Sequence, residues 1–231
     1  MMYPMYYDYT YILVIIGVII TALAAMNVKS TYAKYSSQRA MSGKTAKEVA
    51  RAILNNADIY DVRIARIAGD LTDNYNPSSG VVSLSETVHD SSSIAAIGVA
   101  AHECGHVLQH YQGYAPIKIR SAILPVVNIG SKMSFPVIII GMMLSISPII
   151  TFGIILFSLT LLFQLVTLPV EFNASSRALK ILESTGTLTE DELKGAKAVL
   201  TAAALTYVAA AFSTLLQLLR LVMINGRRNR D

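Results

Sequence analysis

A chain of 231 residues that is 53% hydrophobic and 15% charged, with its apolar residues gathered in long blocks, has the usage of a membrane protein and excludes an ordinary soluble globule. Its 19 Lys and Arg against 15 Asp and Glu give a net charge of +4, and the cations fall mainly between the apolar blocks, where they set topology; no aromatic-interleaved basic stripe supports nucleic acid as a partner. The single cysteine, Cys104, excludes an intramolecular disulfide and a Cys-rich zinc site, so any zinc here must be held by His and carboxylate.

Residues 9–28 run without a charge and are long enough to cross a bilayer as a first transmembrane helix. A cleaved signal peptide is the competing reading, since Ala22-Leu23-Ala24 resembles a cleavage site, but the leading MMYPMYYDY carries no Lys or Arg. Tyr3, Tyr6, Tyr7, Tyr9 and Tyr11 suit an interfacial belt, and Lys29, Lys34, Arg39, Lys44, Lys47 and Arg51 orient the span from outside to cytoplasm. Residues 42–56 place Val49, Ala50, Ile53 and Leu54 on one face of an amphipathic helix. The period then changes, and residues 61–67, 71–75 and 81–85, with a turn at NPSSG, predict a small antiparallel sheet. Asp90 and Ser91 to Ser93 offer N-caps for a helix starting near Ile94.

Apolar sequence resumes at residues 116–124, and residues 133–170 contain no charge, which predicts a helical hairpin turning near SISP at Ser145. Its first arm has to reach back past Lys132 to span the bilayer. LTEDEL marks a further helix start, and a last apolar block covers residues 198–219, ended by Arg220. Arg227, Arg228 and Arg230 would lie outside if this block spans, against the orientation of the first helix; the alternative is a buried or re-entrant helix.

The helix beginning near Ile94 carries AHECGHVLQH. Residues four apart lie about 40° apart around a helix, so His102 and His106 can aim their imidazoles at one point, while Glu103, about 60° from His106, can reach a metal-bound water without being a ligand. Cys104 falls on the opposite face as a small buried filler. Two histidines and a glutamate in a helix otherwise made of Ala, Gly and Val need partners, and a catalytic zinc needs a third protein ligand and an open position for water. His110 lies roughly 12 Å from His102 along the axis and cannot be that ligand, and His89 precedes the helix. Glu171, alone after a long apolar run in LPVEFNASSRAL, is the carboxylate candidate; its bland reading is a charge that ends a span.

AAHECGHVLQH and LPVEFNASSRAL, with VKSTYAKYS after the first span and GDLTDNYNP before the motif helix, resemble the bacterial membrane zinc metallopeptidases of the YugP-like family over nearly the whole chain. More distantly the chain is similar to the HtpX and CAAX-prenyl membrane proteases, whose second motif, E-[YF]-x-A-D, supplies the third zinc ligand. The resemblance implies that Glu171, within EFNAS, is that ligand. It also implies that Ser175, where those relatives have Asp, partners a ligating histidine, here as a neutral group.

The expected fold is a mainly α membrane protein with about four hydrophobic helices and a small α+β zincin-like catalytic part. Its expected divisions are a transmembrane helix (1–28), a cytoplasmic α+β part with the HExxH helix (29–120), a transmembrane hairpin (121–170), a helix with the third ligand and a polar segment (171–197), and an apolar helix with a basic tail (198–231). The expected function is zinc-dependent endopeptidase activity: one catalytic zinc on His102, His106 and Glu171, Glu103 as general base, and Tyr207 as a candidate oxyanion donor. Residues 81–85 are placed like the edge strand that pairs with substrate, and a plain structural hairpin is the equal alternative. The site is expected on the cytoplasmic side of a bacterial plasma membrane that the chain crosses several times, acting on membrane-associated or misfolded polypeptides. The reading from another class is a catalytically silent membrane adaptor with a structural zinc site; such a site closes its fourth position and does not need Glu103.

Overall fold

A computed structural model describes residues 9–228. The expected belt residues Tyr3, Tyr6 and Tyr7 and the tail residue Arg230 lie outside the described residues.

Helix α1 (Tyr11–Ser36) continues past the apolar block, because the polar stretch that follows contains no Pro or Gly to stop it. Helix α2 (Ala46–Asn56) begins later than residue 42, at a capping box. Thr45 Oγ1 accepts from the Glu48 amide at 3.3 Å, and the Thr45 amide donates to Glu48 Oε2 at 2.8 Å. Strands β1 (Arg63–Ile67), β2 (Asn74–Asn76) and β3 (Val81–Ser85) follow.

The sheet corrects the expectation of an all-antiparallel arrangement. Its order is β1-β3-β2: β2 and β3 form the predicted hairpin, with Tyr75 opposite Val82, but β1 pairs with β3 in parallel, with Ala65 opposite Ser83. Strand β3 is therefore central and not an edge. Its inward side chains, Val82 and Leu84, are fully buried, as a middle strand requires, and the free edges belong to β1 and β2. Residues 81–85 have β1 along one side and β2 along part of the other, so they do not form the open edge expected for substrate pairing.

After the single turn α3 (Glu86–His89), helix α4 (Ile94–Tyr111) starts where the serines predict, with Ser93 Oγ accepting from the Ala96 amide at 3.2 Å. Helices α5 (Ala115–Met143) and α6 (Ser147–Ser184) form the hairpin; Ser145 takes φ 58° in the turn, and α5 includes Lys132. Helix α6 does not end at Glu171, and α7 (Glu190–Arg228) joins the LTEDEL segment to the last apolar block without a break. A second capping box, Thr189 with Glu192, opens it.

Four helices, α1, α5, α6 and α7, are long and apolar enough to cross a membrane, with mean hydropathies of 2.5, 1.7, 2.4 and 1.8. At about 1.5 Å per residue, α6 and α7 each exceed the roughly 30 Å of a hydrocarbon core, so each has turns to spare beyond a span.

The chain divides into two compact units: 1–24, 120–166 and 207–231 in one, 25–119 and 167–206 in the other. In the first, Ile138, Ile150 and Ile154 lock the hairpin, while Ile12, Ile15, Val18, Ile19 and Leu23 of α1 stay exposed. An apolar outer face is costly in water and suited to lipid. In the second, α2, the sheet and α4 pack with parts of α6 and α7 around Leu54, Leu84, Ile97, Val107 and Leu182. The protein is thus a mainly α membrane protein with a small α+β part.

Candidate metal centre

Helix α4 supplies His102 and His106 and helix α6 supplies Glu171, all within the second unit. The two helices touch backbone to backbone at Gly105, where a Cβ would stand 2.6 Å from the carbonyl oxygen of Ala174. Only glycine permits that approach, and it falls one residue before His106 and three after Glu171.

The contact brings three donor groups to one point. His102 Nε2 lies 3.3 Å and His106 Nε2 3.6 Å from Glu171 Oε2, and the three ligand atoms all fall within 4.8 Å of one another. A tetrahedral zinc with ligand bonds of roughly 2.0–2.2 Å needs its ligand atoms roughly 3.3–3.6 Å apart, and the separations of Glu171 from the two imidazoles fall in that range. Glu171 is 3% and His106 9% exposed, so the carboxylate stands buried beside two imidazoles, and α6 runs on past it.

Each histidine uses its other nitrogen. His102 Nδ1 lies 3.1 Å from Ser175 Oγ, and His106 Nδ1 lies 3.0 Å from Gln109 Oε1. Gln109 is fully buried and donates from Nε2 to the Val170 carbonyl at 2.8 Å and to Asn173 Oδ1 at 3.0 Å. Asn173 Oδ1 also accepts from Arg177 Nε at 2.7 Å, and Arg177 donates to Gln112 and stacks on Tyr114. Gln109, Asn173 and Arg177 were not legible as site residues. The available signal is that Gln109 is the one amide in the apolar motif helix and stands three residues from His106, on the same face.

Glu103 is 7% exposed, and its carboxylate accepts no hydrogen bond from a described residue. Burial pushes its pKa above the usual carboxylate range, against the pull of the imidazoles of His102 and His106. For His106, burial lowers proton affinity, but the neighbouring carboxylates of Glu171 and Glu103 outweigh it and leave the pKa raised. Cys104 is fully buried with Sγ 3.7 Å from the Ala50 carbonyl, as a filler would be. His110 is exposed and packs edge-on against Tyr75 and Tyr111, and His89 contacts Asp90; neither belongs to the cluster. Tyr207, 39% exposed on α7, belongs to the first unit and not to the one that carries the cluster.

Fold and cluster together define a membrane protein with a two-histidine, one-carboxylate cluster that could hold a metal ion. The chain belongs to the family described as "Putative neutral zinc metallopeptidase", whose model matches residues 10–226. It is similar to the "Putative membrane protease YugP" of Bacillus subtilis (strain 168), at 50% identity over 206 residues that cover 88% of this chain and 92% of the relative. No solved structure matches it significantly.

Proposed function

We propose that this protein is a membrane-anchored zinc endopeptidase that hydrolyses peptide bonds near the cytoplasmic surface of a bacterial plasma membrane. The convergence of His102, His106 and Glu171, with Glu103 next to His102 on the same helix, carries the reading. These three residues would hold one zinc ion, which when bound supplies a water of lowered pKa and polarises the substrate carbonyl.

The residues of the chain do the rest. Glu103 takes a proton from the attacking water at its carboxylate and hands it to the departing amine; its place beside His102 on α4 suits both transfers. Ser175 and Gln109 hold the two imidazoles in their ligand orientation. Tyr207 is kept as the candidate oxyanion donor. The cytoplasmic assignment rests on the six cations between Lys29 and Arg51 that follow the first span. Membrane-associated or misfolded polypeptides are the substrates that such a position favours.

The test is cleavage of casein by the detergent-purified chain beside Glu103→Gln and Glu171→Ala, with zinc content measured on all three. Loss of activity in both variants is expected, with zinc retained by Glu103→Gln and lost from Glu171→Ala. A wild type that binds zinc but cleaves neither casein nor membrane-protein substrates would replace this reading with a catalytically silent adaptor.

A further inference from the structure

The buried amide of Gln109 joins three groups, and only one of them has a fixed hydrogen-bonding sense. The imidazole of His106 can present Nδ1 as donor or acceptor, and the amides of Gln109 and Asn173 can each be turned end for end. The Val170 carbonyl oxygen can only accept. The end of Gln109 that lies 2.8 Å from it must therefore be the NH2 group. That leaves Oε1 as the atom 3.0 Å from His106 Nδ1, and because Oε1 can only accept, Nδ1 must carry the proton. In the neutral imidazole the proton held on Nδ1 leaves Nε2, the nitrogen 3.6 Å from Glu171, as the one with the lone pair.

The other end of the network agrees with this sense. The second Gln109 Nε2 hydrogen points at Asn173 Oδ1, 3.0 Å away, and the same oxygen accepts from Arg177 Nε at 2.7 Å. A guanidinium never accepts, so Asn173 must turn its oxygen toward both Arg177 and Gln109. Two groups of fixed sense, a backbone carbonyl at one point and a guanidinium at another, thus dictate the orientation of every rotor between them. His102 has no such lock: its Nδ1 meets the hydroxyl of Ser175, which can donate or accept.

We propose that Gln109 is the positioning residue that sets the tautomer of His106, reading the acceptor-only Val170 carbonyl of α6 and passing its sense to the ligand on α4. Val170 immediately precedes Glu171, so one turn of α6 both supplies the carboxylate and instructs the second histidine. The inference rests on the zinc site proposed above, and it assigns unequal weight to its two imidazoles: His106 is preset, while His102 is free to adjust.

The chain has only four histidines, so selective 15N-histidine labelling can follow each ring. We would record two-bond 1H–15N spectra of the zinc-loaded, detergent-solubilised protein and measure zinc affinity by chelator competition, for wild type, Gln109→Leu, Gln109→Glu and Ser175→Ala. The expected result is His106 protonated on Nδ1 in the wild type. Gln109→Leu should lose zinc affinity by about 10- to 100-fold and lose the single His106 signal pattern. Gln109→Glu, which keeps an acceptor for Nδ1, should retain the tautomer, and Ser175→Ala should cost less affinity than Gln109→Leu. A His106 bound through Nδ1, or a folded Gln109→Leu with wild-type affinity and spectrum, would overturn the proposal. If Gln109→Leu does not fold, the wild-type and Gln109→Glu spectra decide it. A wild type that binds no zinc would instead overturn the proposed function and leave the tautomer of His106 to be read from the metal-free spectrum.

Discussion

Replacing Gly105 by alanine tests whether the backbone contact between α4 and α6 sets the geometry of the metal centre. The added Cβ would sit 2.6 Å from the Ala174 carbonyl oxygen and 3.1 Å from its carbon, against the 3.4 Å at which ordinary contact begins, a shortfall of about 0.8 Å for the oxygen. The obstacle is backbone and cannot rotate away, so one helix has to recede. If half of that shortfall reached Glu171, its separations from His102 and His106, now 3.3 and 3.6 Å, would grow by about 0.4 Å, beyond the roughly 0.2 Å tolerance of a metal–ligand distance. Overpacking should cost about 1–3 kcal/mol, partly offset by up to about 1 kcal/mol from the better helix propensity of alanine. We expect zinc affinity to fall at least about tenfold, which is about 1.4 kcal/mol, with a net stability loss of about 0–2 kcal/mol. Gly98→Ala on the same helix is the control: its Cβ would meet Ala196 Cβ at 3.4 Å, an ordinary contact. It should leave zinc affinity unchanged and raise the thermal midpoint by about 2–4 °C. Chelator competition and a thermal melt on both variants read these outcomes; wild-type zinc affinity in Gly105→Ala would refute the claim that this contact tunes the site.

Four further outcomes are expected. Leu84→Ala, at a fully buried position of the central strand, should destabilise the α+β unit by about 2–5 kcal/mol in denaturant unfolding. Thr45→Ala should cost about 1 kcal/mol in the same assay by removing the cap of α2. The partner in that capping box, Glu48, has its pKa lowered by hydrogen bonds from the Thr45 amide and hydroxyl. Its contribution is therefore complete above the usual glutamate range and lost as pH falls through the lowered value, so the difference between wild type and Glu48→Gln should shrink on acidification. Tyr207→Phe should lower kcat without changing zinc content if its hydroxyl stabilises the oxyanion, and unchanged kcat would remove it from the site.

Several elements were legible because their signal is local. Helix N-termini at Ser93 and Thr189 follow from side chains bonding amides three residues on, and the hairpin turn at Ser145 follows from the SISP break inside an uncharged run too long for one span. The pairing of His102 with His106 is helical arithmetic. Glu171 stood out because an isolated carboxylate after an apolar block needs a reason, and its burial between the two imidazoles supplies one. Strand order is not legible in the sequence: alternation fixes which face of β3 is buried but says nothing of which strands lie beside it, so a substrate-pairing edge and a plain hairpin strand are equal readings there. The divisions expected at residues 170 and 197 fall within α6 and α7, since a change from apolar to polar sequence marks a change of surroundings and not of backbone conformation.

By itself the sequence determined the membrane character of the chain, its four long helices and the residue types at the candidate metal centre, because hydropathy and helical period act over one or two turns. Only the tertiary structure decided how those residues are held. The hydrogen bonds from Gln109 to Val170 and Asn173 join positions 61 and 64 residues apart, and that of His102 with Ser175 joins positions 73 apart. The closeness of α4 to α6 at Gly105 depends on a side chain that is missing, a feature whose meaning appears only once the opposing carbonyl is in place.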